Sequence, residues 1–230
     1  MALILSLDST ASVCSVALHQ DGKWIDTIFM AEPRAASSQL MVSVRNLLSR
    51  NAIKPSEISA IAVSSGPGSY TGLRISSSSA KGLCYALNVQ LIAVNSLLVL
   101  AYAQIKEHGM GYYYCPMLDA RRMEVYCALI QSNQDFVTEI EPKVLTTNSF
   151  QSDLDQHKIF FFGDGAQKFK PLANHPNAIF VDGVHPEAKY LGYLAHEKYL
   201  AKQFECVEDF EPMYLKDFMI KKKQEQSTQI

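Results

Sequence analysis

Apolar residues in the first part of the chain form short continuous runs separated by polar turns. Three such runs predict strands at 3–7, 13–19 and 24–30. Asp21-Gly22, between the second and third runs, is typical of a tight hairpin. A fourth apolar run at 58–64 leads into a turn rich in glycine. The pattern therefore predicts three sequential strands and a fourth strand that is reached through a helix.

Helical spacing of apolar residues begins after the third strand. The segment 37–50 carries apolar side chains at helical spacing, namely Leu40, Met41, Val44, Leu47 and Leu48. A second predicted helix, 71–87, contains small side chains at 76–80 that would let another helix approach closely. A strand at 90–94 then leads to a third helix, which Asn95 or Ser96 caps and which extends to Glu107.

The pattern starts again near residue 112. Its predicted elements are strands at 112–119, 124–130 and near 136–140, a short helix at 149–154 and a strand at 159–162. Pro186 is predicted to begin a long helix that ends near Phe204. The residues after 218 are rich in Gln and Lys, which is typical of a frayed or disordered tail.

The two stretches resemble each other internally. Leu7-Asp8 precedes Ala17-Leu18 by the interval at which Leu118-Asp119 precedes Ala128-Leu129, and each half contains a strand that ends in a Gly-x-Gly turn. We interpret this as a duplicated β-β-β-α-β-α unit with a degenerate second copy, which gives an α/β fold. We expect an N-terminal lobe at 1–108 and a smaller C-terminal lobe at 109–230, whose final segment packs back on the first lobe.

The residues 65–72, here called the glycine loop, connect the fourth strand to the second helix. Gly66, Gly68 and Gly72 permit positive φ or close backbone approach, and Ser69 or Thr71 can cap the helix. Such a turn can hold a phosphate, a carboxylate or a partner's loop, or it can simply pack a tight connection. The spacing matches neither a P-loop nor a nucleophile elbow.

Composition restricts the possible functions. The 230 residues are 48% hydrophobic, and no apolar run approaches the roughly 18 to 20 residues of a membrane span. The N-terminus lacks a secretory signal pattern, so we expect a cytoplasmic protein without membrane contact. The 21 basic and 23 acidic residues provide no general attraction for nucleic acid. The five cysteines include no C-x-x-C pair, and we expect them to be reduced and mostly buried.

Candidate chemistry is sparse. The six histidines include no pair at helical metal-ligand spacing, so we expect neither a metal site nor a cofactor. Asp8 and Asp119 end the first strand of each half, where they can face a ligand or bond within their own turns. Arg121 and Glu124 lie at a predicted turn, either as solvated charges or in an ion pair or interface.

The chain contains five distinctive motifs, namely Leu7-Asp8-Ser9-Thr10, the segments 65–75, 118–126 and 211–216, and Gly163-Asp164-Gly165-Ala166. Together they resemble the bacterial TsaB (YeaZ-like) family, within the actin, Hsp70 and sugar-kinase superfamily. The resemblance spans nearly the whole chain. It implies two actin-like, ribonuclease H-like lobes. It also implies a non-catalytic, scaffolding subunit of the tRNA modification machinery that places threonylcarbamoyl on the adenosine beside the anticodon.

The resemblance also implies partners. These are a TsaD-like catalytic subunit, a TsaE-like ATPase and, for the isolated chain, a second copy in a homodimer, with tRNA contacted only through the complex. Docking would use the first two helices, through Leu40, Met41, Val44, Leu47, Leu48, Leu73, Arg74, Ser77 and Lys81. Residues in the loops that could face a ligand are Asp8, Gly66, Gly68, Ser69, Thr71, Gly72, Asp119, Arg121 and Glu124.

Two departures from the family pattern and one alternative function stay open. Ala36 stands where many members carry His, and Ser76 stands where glycine usually follows the loop. The alternative is an ATP-dependent small-molecule kinase of the same superfamily, although the turn after Asp8 lacks the glycine that phosphate binding would need. Lys221-Lys222-Lys223 could contact tRNA phosphates or could simply be a soluble end.

Overall fold

The computed structural model describes residues 1–32 and 35–216, with the backbone alone at 35–37. Its strands are β1 Leu3–Asp8, β2 Cys14–Gln20, β3 Lys23–Met30, β4 Ala60–Ser64, β5 Gln90–Val94, β6 Tyr113–Asp119, β7 Glu124–Cys127, β8 Ile130–Gln131, β9 Glu141–Val144, β10 Ile159–Phe162 and β11 Ala178–Val181. Its helices are α1 Ala35–Arg50, α2 Tyr70–Leu87, α3 Ser96–His108, α4 Gln151–Leu154, α5 Ala166–Phe169 and α6 Ala188–Leu200.

The first sheet has the strand order β3-β2-β1-β4-β5. β1 pairs antiparallel with β2 and parallel with β4, and β4 pairs parallel with β5. Alternate side chains of β1 point to opposite faces, so Leu5 and Leu7 pack with α1 and α2 while Ile4 packs with α3 and α6. Because both faces are covered by helices, the central strands are continuous apolar runs.

The second sheet has the order β11-β10-β6-β7-β9, with β8 also paired to β6. One face buries Phe161 and Phe169, and the other packs against α3 through residues such as Tyr114 and Phe162. α3 contributes side chains to the cores of both sheets, including Val99 to the first and Leu100 to the second. A helix that is buried on several sides in this way is apolar over most of its surface.

The α/β class is confirmed, while three of the predicted elements need correction. Residues 136–140 are not a strand, because Phe136 makes only an isolated bridge to Ile130 and the third strand is β9. The predicted strand at 124–130 is divided into β7 and β8. The long helix begins at Ala188 and ends at Leu200, since Glu187 before it is still extended, with φ −133° and ψ 136°.

The chain returns to the first sheet after α6. Glu205 bridges to Leu91 of β5, Phe210 is buried in the core beside α1 and α2, and Lys81 Nζ donates to the carbonyls of Glu208 and Phe210. The division into lobes at residue 108 stays a prediction. The predicted tail after 218, Lys221-Lys222-Lys223 and the Ala36 side chain lie outside the described residues. Within the described ranges, every helix is too short or too polar to cross a membrane.

Candidate functional site

The glycine loop is fixed to the start of α3. Ser96 N donates to Gly66 O at 2.9 Å, and Ser96 Oγ accepts from Gly66 N at 2.9 Å. Ser65 N donates to Val94 O at 2.8 Å. These hydrogen bonds extend the parallel pairing of β4 and β5 into the loop, and they fix the position of the loop beside the start of α3.

The opposite side of the loop presses against the turn between β1 and β2. Ser69 N donates to Thr10 O at 2.7 Å, and Ser9 Oγ donates to Gly72 O at 2.7 Å. A Cβ atom on Gly68 would lie 2.4 Å from Thr10 O, and one on Gly72 would lie 1.8 Å from Ser9 O. Close contact between two main chains therefore accounts for Gly68 and Gly72. This is the tight packing that the sequence analysis gave as one of the alternatives for the loop.

Ser69 provides the helix cap that the sequence predicted. Its Oγ accepts from Gly72 N at 3.3 Å, whereas Thr71 lies inside α2 and is exposed. Gly66 has a φ of +104°, which only glycine adopts without strain. A Cβ there would also lie 2.7 Å from Met213 O, so Gly66 is confined by the C-terminal part of the chain.

Asp8 has no exposed surface and binds within the chain. Its Oδ1 accepts from Thr10 N at 3.0 Å and from Thr10 Oγ1 at 2.9 Å, and its Oδ2 accepts from Ser64 Oγ. Burial raises the pKa of the Asp8 carboxyl, although these hydrogen bonds act in the opposite direction. The side chain ties β1 to the end of β4, and it offers no surface to a ligand in this structure.

Asp119, at the matching position of the second half, is exposed and bonds to different groups. Its Oδ1 accepts from Arg121 N at 2.5 Å and from Lys168 Nζ at 2.6 Å, and its own N–H donates to Asp164 Oδ1 at 2.9 Å. Burial raises the pKa of Asp164, and the nearby Asp119 carboxylate adds to that rise. Asp119 therefore organises the turn that follows β6.

That turn has a left-handed backbone at two consecutive arginines. Arg121 and Arg122 have φ values of +70° and +50°, and both side chains are exposed. Glu124, which follows the turn, forms an ion pair with Lys216. The ion-pair role considered for this segment is thus present inside the chain.

The C-terminal residues lie across the glycine loop. Met213 N donates to Ser65 O at 2.7 Å, and the rings of Tyr214 and Tyr70 are 5.0 Å apart. The Arg74 guanidinium lies 5.4 Å from the centre of the Tyr70 ring. The structure thus brings together four motifs that are distant in sequence: the Asp8 turn, the glycine loop, and residues 118–126 and 211–216.

Most of the predicted docking side chains are in the interior, which corrects the sequence analysis. Side chains buried in the protein are Leu40, Val44, Leu47, Leu48, Leu73 and Ser77. Lys81 reaches back to the C-terminal residues. Helical periodicity identified the inward faces of α1 and α2, which pack on their own sheet. Met41 and Arg74 are the predicted positions that remain exposed.

Metal-ligand clusters and thiols are the candidate reactive groups considered for the described residues. Among the described residues, no three His, Cys, Asp or Glu side chains are placed to hold a metal ion. Cys14, Cys84, Cys115 and Cys127 are buried free thiols, and burial raises the pKa of Cys14 and of Cys84 to about 12. Thiols of this kind are poor nucleophiles at neutral pH. Residues missed by the sequence analysis are Ser64, Lys168 and Lys216, whose partners are distant in sequence.

A family model described as TsaD, tRNA N6-adenosine threonylcarbamoyltransferase, matches residues 32–223. The chain is 28% identical to the tRNA threonylcarbamoyladenosine biosynthesis protein TsaB of Escherichia coli K12, over 96% of this chain and 97% of that protein. It is 26% identical to the TsaB protein of Haemophilus influenzae, over 96% of each chain.

Solved structures agree with this relationship. YeaZ from Pseudomonas aeruginosa matches with a TM-score of 0.83 and 28% identity, over 94% of this chain and 100% of that one. The activator of the 2-hydroxyisocaproyl-CoA dehydratase from Clostridium difficile, 8% identical with a TM-score of 0.50, shares the fold alone. The chain therefore belongs to the TsaB family, with a domain of the TsaD type and an actin-like fold.

Proposed function

We propose that this protein is a non-catalytic, activating subunit in the synthesis of threonylcarbamoyladenosine on tRNA, and that it binds a TsaD-like catalytic subunit. The names of its full-length relatives give the pathway. The observation that carries the proposal is the exposed face of α1 and α2.

The exposed face of α2 consists of small and projecting residues in a row. Arg74, Ser78, Gly82 and Tyr85 follow one another at helical spacing, and Tyr85 is 86% exposed. Beside it, α1 exposes Met41 and Val42, each 44% exposed, and Arg45. This face has apolar, aromatic and cationic side chains, which are typical of protein interfaces.

Gly82 gives the face its specific shape. A Cβ atom on Gly82 would meet nothing within 4 Å, so the chain itself does not need glycine there. Glycine inside a helix costs about 1 kcal/mol relative to alanine. A partner helix that approaches closely at Ser78 and Gly82 accounts for this cost, because small residues allow two helix axes to come near each other.

The same face serves both partners of the proposal. The isolated chain pairs with a second copy through it, and the TsaD-like subunit replaces that copy in the active complex. A TsaE-like ATPase joins this complex, and tRNA contacts are made through it. Activation results because the chain binds one conformation of the catalytic subunit more tightly than the other.

The test compares two substitutions at one position. Gly82→Trp should fill the open space above α2 and weaken binding of the TsaD-like subunit by about 100-fold or more, as expected when close packing at an interface centre is lost. Gly82→Ala adds one methyl group, so it should weaken binding only by about tenfold while raising the free energy of unfolding by about 1 kcal/mol. Calorimetry with the TsaD-like protein of the same cell measures the affinity.

Modification assays complete the test. Threonylcarbamoyl transfer to tRNA is measured with the TsaD-like subunit, the adenylate-forming enzyme, the TsaE-like ATPase and ATP, with and without this chain. We expect product only when the chain is present, and little with Gly82→Trp. Equal product without the chain would refute the activating role, and unchanged affinity of Gly82→Trp would refute the assignment of the face.

A further inference from the structure

Residues 205–216, here called the C-terminal segment, run along one flank of α2 toward the glycine loop. Lys81 Nζ, in the middle of α2, donates to Glu208 O at 3.0 Å and Phe210 O at 3.1 Å. Further along, Met213 N donates to Ser65 O at 2.7 Å, and Tyr214 contacts Tyr70, the first residue of α2. The segment therefore covers both the helix and the loop that positions it.

The far end of this segment has little apolar burial. Phe210 is 9% exposed, but Met213 and Tyr214 are 40% and 41% exposed. Besides the Met213 and Tyr214 contacts, this end is attached through Lys216, whose Nζ contacts the Glu124 carboxylate and lies 3.4 Å from Ala120 O. The side chains of Lys216 and Glu124 are 34% and 24% exposed, so water screens the pair less than it screens a surface pair.

Hydrogen bonds within the turn at 120–124 hold Glu124 in place. Ala120 N donates to Glu124 O at 3.1 Å, and Glu124 N donates to Arg121 O at 3.2 Å. Asp119 Oδ1 accepts from both Arg121 N and Lys168 Nζ, and Lys168 Nζ also donates to Glu124 O at 3.1 Å. Lys216 is thus attached to the frame of the second sheet.

We propose that the Lys216–Glu124 pair is a clasp through which the second sheet positions the glycine loop and the first turn of α2. The path of contacts runs from the β6–β7 turn through Lys216 to Met213, and from Met213 N to Ser65 O. The main chains of Met213 and Gly66 approach so closely that only glycine fits at residue 66. The clasp concerns the isolated chain; its effect on partner binding through α2 rests on the proposed function.

The experiment is amide hydrogen exchange by NMR on the full chain. Lys216→Ala and Glu124→Gln should each speed exchange of the Met213, Ser69 and Leu73 amides by about five- to tenfold, since loss of a partly buried ion pair favours local opening by that factor. Amides in β1 and β5 should be unchanged. Lys216→Arg should retain slow exchange. The double variant Glu124→Lys, Lys216→Glu, in which the two charges are swapped, should recover slow exchange.

The matched control is Lys170→Ala, which breaks the exposed pair between Lys170 and Asp182, 2.7 Å apart. It should leave exchange at the glycine loop unchanged. Unchanged Met213 and Ser69 exchange in both single variants would overturn the clasp. A uniform acceleration across β1 to β5 would also overturn it, because it would indicate lost global stability. The measurement contains no TsaD-like subunit, so a failure of the proposed function leaves its outcome unaffected.

Discussion

The two Gly-x-Gly turns occupy equivalent places in the two halves, yet they lead to very different helices. The turn after β4 opens α2, with 18 residues, and the turn after β10 opens α5, with 4. Both turns press against the main chain of the first hairpin or strand of their half. In the second half, a Cβ on Gly163 would lie 2.3 Å from Met117 O.

The strand ends beside these turns also differ. Asp8 is fully buried and bonded to Ser64 and Thr10, whereas Asp119 is exposed and paired with Lys168. The two halves therefore share the close approach of turn to strand, which sets the backbone path. They differ in the residues around the turn. The first half exposes one face of two long helices, α1 and α2, whereas the second half contains Glu124, which pairs with Lys216 of the C-terminal segment.

The largest effect that tests this comparison is expected from alanine at the packed glycines. Gly68→Ala, at the position equivalent to Gly165, places a Cβ 2.4 Å from the backbone oxygen of Thr10, so the β1–β2 turn must move, and we expect a loss of about 3 kcal/mol or more in the free energy of unfolding. Gly165→Ala meets Val125 Cγ1 at 2.8 Å and Met117 O at 3.0 Å, which should cost about 1–2 kcal/mol.

Denaturant unfolding of the two variants measures both values, and Gly82→Ala serves as a control without steric contact. Equal losses for Gly68→Ala and Gly165→Ala would show that the two turns tolerate an added methyl group equally well, and the comparison would fail.

The next effect concerns the paired aspartates. Asp8→Ala leaves Thr10 N and Ser64 Oγ without their buried acceptor and should lower the free energy of unfolding by about 2–3 kcal/mol. Asp119→Ala, where the carboxylate is exposed, should cost about 1 kcal/mol or less. Asp8→Asn keeps the shape and one acceptor oxygen, so it should recover most of the loss. Similar losses at residues 8 and 119 would contradict the structural difference between the halves.

Local pattern predicted the elements whose causes are local. The bounds of β5 and β10 and the caps at Ser69 and Asn95 follow from apolar runs and capping chemistry within a few residues. The glycine loop was also identified from its own residues. What those residues press against, Ser9 and Thr10, comes from another part of the chain, so the sequence left its role open.

The errors have non-local causes. An amphipathic helix shows which face is apolar, but the sequence does not show whether that face meets its own sheet or a partner, as Leu40 and Val44 illustrate. Residues 136–140 have strand-like composition but form no ladder. The pairing of Glu124 with Lys216 joins residues that are 92 positions apart, and no local pattern indicates it.

A smaller effect on the free energy of unfolding is expected when the pH is lowered. It concerns His19 and Ile130, two strand residues that the internal duplication aligns. The interval from Asp8 to Asp119 also relates His19 to Ile130, and both are fully buried. His19 packs edge-on against Tyr193, and a Cβ on Gly192 would lie 2.1 Å from its Nδ1. The pKa of His19 is lowered to about 4, chiefly because burial disfavours the charged ring; electrostatic interactions with His196 and Lys189 act in the same direction, and the Lys189 backbone offsets part of the shift.

Because the folded protein keeps His19 neutral, its stabilising effect is complete above a pH of about 6.5 and declines as the pH falls toward about 4. In that range the unfolded chain binds a proton that the folded chain does not. Between pH 7 and pH 4.5 this residue should lower the free energy of unfolding by about 2 kcal/mol. Urea unfolding of His19→Leu at both pH values should show a decline smaller by that amount, whereas Ile130→Val should keep the original decline. An unchanged pH dependence in His19→Leu would mean that the buried histidine of the first half behaves like the isoleucine of the second.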